Sequence, residues 1–231
     1  MSMRALVFAA VLGSVAVESG AAVPNFGGVW LVEKPQVEAK TLAGKTPPLK
    51  AEAAALYAKR KQAKASGKTA DDPVEQCLPQ GVPRILSATQ PIQILQKPKQ
   101  ITVLYQVNHQ ARLFYIDEPV PSADNAPDIT YNGSSYARWD GNALVVDTIA
   151  FNGLTWLDDM GLPHGEGLRV AERYELADPD HLRVKITVTD PDTFTAPWDM
   201  QLTYKRQPKL RLQENPCSEK LWHPTPTGSS G

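Results

Sequence analysis

Between Tyr136 and Tyr204 the chain repeats, segment after segment, a strict alternation of apolar and polar residues, and a period of two admits only half-buried β-strands. Arg138-Trp139 leads into Asp140-Gly141-Asn142, a hairpin turn signal, and then into the β-branched run Ala143 to Ile149. The next segment sets Leu168, Val170, Glu172, Tyr174 and Leu176 on one face, so that Glu172 is the odd member of an apolar row. After a turn at Pro179-Asp180-His181, the residues Leu182, Val184, Ile186 and Val188 line one side of the following strand. Trp198, Met200, Leu202 and Tyr204 repeat the pattern. Strands alternating in this way, in sequence, predict an antiparallel meander with one solvated face.

Inside that meander residues 151–167 form a connection of about seventeen residues, longer than the roughly 12–15 beyond which structureless loops tend to be functional or disordered. Phe151, Leu154, Trp156, Leu157, Met160 and Leu162 make it too apolar for a solvated linker, while Asn152, Asp158, Asp159, His164 and Glu166 give it polar chemistry. It is read as a lid over a barrel mouth; the alternative is an ordered packing loop whose Trp156 plugs the end of the sheet.

The first residues, Met1-Ser2-Met3-Arg4 followed by an apolar run from Ala5 to Val17 and the small residues Gly20-Ala21-Ala22, have the layout of a secretory signal peptide. With residues 1–22 assigned to this leader, about 209 remain, enough for one large all-β domain over 23–231 in the periplasm or outside the cell. No later segment reaches the ~20 apolar residues of a membrane-spanning helix. Net charge is −1, from 24 basic and 25 acidic residues, which gives no electrostatic case for nucleic acid and leaves a small molecule as the expected partner. Composition does not indicate the oligomeric state. Cys77 and Cys217 form an even pair behind an export signal and predict one disulfide, closing a loop of about 140 residues.

The chain also carries an N-terminal strand around Gly27-Gly28-Val29-Trp30, one helix over 49–65 and a proline-punctuated coat segment over 68–91. Leu49, Ala53, Leu56 and Tyr57 form the stripe of that helix. Residues 207–231 are read as a C-terminal tail. The Gly28-x-Trp30 spacing resembles the start of lipocalins and other calycin barrels, in which the tryptophan closes the barrel floor under a basic residue of the last strand; Lys205 or Arg206 would take that part here. The expected fold is therefore an all-β, antiparallel, lipocalin-like barrel of about eight to ten strands, with one N-terminal helix and long coat segments.

From Ile101 to Tyr115 alternation places Ile101, Val103, Tyr105, Val107, His109, Ala111, Leu113 and Tyr115 on one face. A bulge or bend at Asn108-His109-Gln110 would instead re-aim Arg112 inward. His109 is either a core histidine bonded to a carbonyl or a functional group. The candidate acid/base residues are accordingly His109, Glu172, Arg112 and His164. Tyr105, Tyr115, Asp147, Asn152, Trp156, Asp158, Tyr174 and Trp198 are the candidate substrate contacts. No phosphate-binding glycine loop, zinc-protease motif or nucleophile elbow occurs, and the histidines show no metal-ligand spacing, so the expectation is neither cofactor nor metal.

Several stretches together resemble a family of exported bacterial proteins of uncharacterised function: Cys77-Leu78-Pro79-Gln80-Gly81-Val82-Pro83-Arg84, Asn108-His109-Gln110-Ala111-Arg112, Arg138 to Thr148, Phe151-Asn152, Pro163-His164 and Glu172-Arg173-Tyr174. The resemblance implies an exported domain and no particular reaction. Where that pattern carries a histidine after the glycine, this chain reads Gly133-Ser134, so it does not imply a two-histidine mechanism here. Two functions fit the residues: a cofactor-independent lyase, isomerase or cyclase acting on a hydrophobic oxygenated small molecule, with His109 and Glu172 as base and acid, and a non-catalytic lipocalin-like carrier. A buried Glu172–Arg112 salt bridge would weigh against the enzyme, because it leaves the carboxylate already paired.

Overall fold

The computed structural model describes residues 23–68, 71–122, 125–215 and 217; the expected leader at 1–22 and residues 218–231 of the expected tail lie outside them. Nine strands close into one barrel in sequence order: β1 (Gly28–Val32), β2 (Ile92–Lys97), β3 (Gln100–Tyr105), β4 (Gln110–Ile116), β5 (Ser134–Asp140), β6 (Ala143–Ile149), β7 (Arg169–Asp178), β8 (His181–Thr189) and β9 (Trp198–Arg206). β9 pairs back onto β1 through Trp30 opposite Arg206. All neighbouring pairs are antiparallel except β4 and β5, which run parallel, so the expected wholly antiparallel barrel is corrected at one seam. The chain reaches β5 by an excursion over 117–133, as a parallel neighbour requires.

The alternation read from the sequence is what fills the interior. Val170, Glu172, Tyr174, Leu182, Val184, Ile186, Val188, Met200, Leu202 and Tyr204 all point inward and are buried. At the end carrying the tight hairpin turns, the Arg206 guanidinium lies 4.1 Å from the centre of the Trp30 ring, and Trp30 Nε1 donates to the Phe26 carbonyl at 2.9 Å. Arg206, not Lys205, is the floor cation; it also donates to the carbonyls of Gly27 and Pro179. Gly28, at φ +130°, lies where a Cβ would meet Arg206 Nη1 at 2.9 Å, so glycine is what lets the cation lie over the ring.

The opposite end is sealed by the segments that precede β2. Helix α1 (Ala51–Ala65) buries Tyr57 and leaves Leu56 exposed, so it touches the body of the protein by a narrower stripe than its pattern predicts. The coat that follows folds into two short 3-10 turns, Pro73–Gln76 and Arg84–Ser87; the second drives Ile85 and Leu86 into the core. Asp72 caps the first turn through the Val74 amide and receives Nη1 and Nη2 of Arg84 at 2.7 and 2.9 Å. Cys77 and Cys217 are bonded, with Cα atoms 5.5 Å apart and 140 residues apart in sequence, as expected. The bridge ties residues 213–217 to the coat, where the Asn215 amide donates to His109 Nε2 at 2.7 Å.

Because this bond closes so long a loop, reducing it is expected to lower stability by up to about 4–5 kcal/mol in the chain-entropy account. Urea unfolding with and without reductant reads the difference, and an unchanged midpoint would contradict it.

Candidate functional site

The long run through His109 is not one strand. Val107–His109 makes a 3-10 turn in which Asn108 and His109 both take φ of 50°, and the chain folds back so that Gln110 lies opposite Tyr105. The inward row restarts at Arg112, Phe114 and Ile116, while Ala111, Leu113 and Tyr115 face out. His109 is therefore exposed at the rim, bonded to the C-terminal strap, and does not share a cavity with Glu172. That expected pairing is corrected, and Arg112 takes the inward place.

Arg112 and Glu172 meet in the middle of the barrel as a two-pronged ion pair, Nη2 to Oε1 at 2.6 Å and Nη1 to Oε2 at 3.1 Å, with both side chains almost wholly buried. The Tyr174 hydroxyl donates to Glu172 Oε2. Arg112 Nη2 also reaches Ser135 Oγ at 3.1 Å and Thr148 Oγ1 at 3.0 Å, so β4, β5, β6 and β7 each contribute one polar group to the cluster. Burial pulls the Arg112 pKa down, but the Glu172 carboxylate outweighs it and holds the guanidinium well above its usual value. Burial pushes the Tyr105 hydroxyl up to about 12, partly offset by Arg112, and pushes Tyr174 and Tyr204 well above the ordinary phenol range. Near neutral pH the barrel centre thus holds three neutral phenols around one matched pair of charges. Tyr105 Oη, Arg112 Nε and Trp198 Nε1 are buried with no hydrogen-bond partner among the described residues.

Residues 151–167 form the packing loop, not the expected lid. Asp158 is buried and accepts from Tyr57 Oη at 2.7 Å and from the amides of Ala39, Met160 and Leu162 at 2.9–3.0 Å, fastening the loop to the helix and the coat. Trp156 lies under three cations, Arg60, Lys64 and Arg84, at 5.0–5.8 Å, on the coat side of the barrel. His164 is buried with Nδ1 against the Gly165 carbonyl and Nε2 against Thr155 Oγ1, both at 2.8 Å. The carbonyl fixes the proton on Nδ1, leaving Nε2 to accept from threonine. Asn152 caps the local turn at the Leu154 amide. Asp147 faces outward, 3.3 Å from Arg138, and Tyr115 stacks outside against Tyr136. Trp198 is interior, edge-on to Phe194. Of the expected contacts, then, Tyr105, Tyr174 and Trp198 lie inside with Arg112 and Glu172, and the rest do not.

Sequence reasoning did not find Ser135 and Thr148, whose only signal is a hydroxyl on an otherwise apolar face, nor the surface opening that leads to them. β4 and β5 pair only over Phe114–Ile116 with Ser135–Ala137. Above that short ladder lies a cleft of about 270 Å³ lined by Pro79, Leu113, Tyr115, Tyr131, Asn132 and Gly133, with Arg112 and Ser135 at its base. No group of three or more His, Cys, Asp or Glu residues placed to hold a metal ion occurs among the described residues, and no described helix is long and apolar enough to cross a membrane.

No protein-family model and no curated protein matches the chain. Among solved structures, a point mutant of the fluorescent protein UnaG aligns with 78% of this chain and 95% of its own, at 16% identity and a TM-score of 0.34. A match that loose says nothing about what this chain does; the barrel assignment stands on the closed strand pairing.

Removing one member of a buried ion pair leaves an uncompensated charge and costs about 3–5 kcal/mol, whereas replacing both by apolar groups is often neutral. Arg112→Met and Glu172→Leu are each expected to destabilise by about that amount, and the double variant by less than either single one. Chemical denaturation of the three variants checks the order.

Burial lowers the pKa of His164 from 6.5, against the opposing pull of the Gly165 carbonyl and Asp190. The unfolded chain therefore binds the proton first as pH falls, so His164 contributes stability that is complete above 6.5 and declines below it. Unfolding free energies between neutral and mildly acidic pH should show this loss, and His164→Gln should flatten it.

Proposed function

We propose that this chain is an exported small-molecule-binding barrel that holds its ligand without transforming it. The observation that carries the reading is the state of Glu172: the carboxylate available for proton transfer inside the barrel is already clasped by Arg112 and bonded by Tyr174. Its expected partner His109 lies outside, and His164 is committed to Thr155 and Gly165 in the packing loop. A general acid or base must reach a substrate proton within about 2.6–3.2 Å or through one water, and no such couple is assembled here. A carrier needs none. It needs a recess with a few unpaired polar groups, which the cleft over Arg112 and Ser135 supplies. The Cys77–Cys217 bond supports an oxidising compartment and hence export.

Native mass spectrometry after incubation in cell-envelope extract tests the reading. The expected result is one molecule bound in about equimolar ratio and recovered chemically unchanged on unfolding. Its steady conversion to a product by catalytic amounts of the protein, abolished in Glu172→Gln, would restore the lyase, isomerase or cyclase reading.

A further inference from the structure

The barrel is stoppered at both ends, by Trp30 with Arg206 at one and by the helix, coat and packing loop at the other, which leaves the wall as the place where the interior cluster meets the surface. The wall is thinnest where β4 separates from β5: residues 110–113 lie beyond the three-residue ladder, and the cleft there reaches Arg112 and Ser135 directly. Its volume, about 270 Å³, is at the small end of the roughly 300–1,000 Å³ that ligand pockets occupy.

The polar chemistry of this cleft is half complete. Asn132 Nδ2 donates to Gln110 Oε1 at 3.1 Å, which satisfies one side of the amide pair. The other side, Asn132 Oδ1 as acceptor and Gln110 Nε2 as donor, is buried with no partner among the described residues, and Arg112 Nε below is in the same condition. Leaving buried donors and acceptors unmet costs roughly 1–3 kcal/mol each, a cost that a ligand supplying the missing partners would remove. An adjacent acceptor and donor on two amides is the complement of a third amide. The arrangement is held by Gly133, at φ +67°, where a Cβ would lie 2.6 Å from the Ile149 carbonyl oxygen. Charge sets the second condition. Arg112 is the one ionisable cation in the lining and Glu172 already neutralises it, so neither an anion nor a cation gains a counter-charge.

Resting on the binding reading above, we propose that the break in the wall between β4 and β5 is the ligand site. It takes a compact, uncharged molecule that presents a carbonyl next to an N–H or O–H, of which a primary carboxamide is the simplest case.

Benzamide, benzoate and benzamidine have nearly the same shape and differ in charge, so a titration of isotope-labelled protein followed by NMR separates the possibilities. Benzamide is expected to shift the side-chain amides of Asn132 and Gln110 and the backbone amides of Gly133 and Ser134, with benzoate and benzamidine binding at least about tenfold more weakly for want of a counter-charge. Asn132→Ala and Gln110→Ala should each weaken benzamide roughly three- to tenfold, the worth of one hydrogen bond, while Asn108→Ala at the coat end should leave it unchanged. Equal binding of benzoate, no response of these four residues to benzamide, or retention of full affinity by Asn132→Ala would each overturn the proposal. Shifts confined to the coat-end cleft around Gln80 and Asn108 would overturn the location and leave the binding reading standing. The binding reading falls separately, if envelope extract yields no bound molecule.

Discussion

The interior of this barrel is arranged around one pair of opposite charges. Placing a guanidinium and a carboxylate in an apolar barrel costs several kcal/mol per ion unless each is met by its counter-charge and by hydrogen bonds. The surrounding residues are those that meet this requirement. Ser135 and Thr148 stand at inward positions where an apolar side chain would pack equally well, and both turn their hydroxyls to Arg112. Tyr174 turns its hydroxyl to the carboxylate. The pair also decides what chemistry the barrel can do, since a carboxylate locked to arginine is a poor proton carrier and a cation so matched attracts no anion.

The segments outside the sheet show the same dependence on a few buried acceptors. Asp158 gathers a tyrosine and three amides, and Asp72 gathers Arg84 and the turn at Val74; Arg84 in turn donates to Asp159 at 2.7 Å. Two short carboxylates thereby join helix, coat and loop into one cap, with the disulfide fixing the far end of the chain to it. Residues 151–167 look like a lid in the sequence because they are long, aromatic and polar at once. They pack because their carboxylates are all spoken for by neighbours far away in the chain.

What was legible in the sequence was local. The period-two rows of β7, β8 and β9 were readable because each strand runs unbroken and faces the core on one side, and the floor was readable because Gly28, Trp30 and a late cation have a recognisable spacing. The errors have physical causes. The turn at Asn108 and His109 contains neither glycine nor proline and relies on two residues in left-handed conformation, so it passes for continuous strand and reverses every inward assignment after it. Bends of this kind carry little compositional warning, although asparagine tolerates the conformation better than most residues. The Arg112–Glu172 pair joins positions 60 apart, and the parallel seam depends on which strands become neighbours; alternation within a strand encodes neither.

Strand number has a consequence of its own. In a closed ring of neighbours, each antiparallel contact reverses direction, and a circuit that returns to its start must contain an even number of reversals. Nine strands therefore cannot all be antiparallel, and at least one parallel contact is a matter of parity, whatever the side chains. An eight- or ten-stranded relative of this barrel would be free of that obligation. The odd strand out is thus a topological reason for this wall to have a seam, and the sequence between β4 and β5 determines only where the seam falls and what lines it.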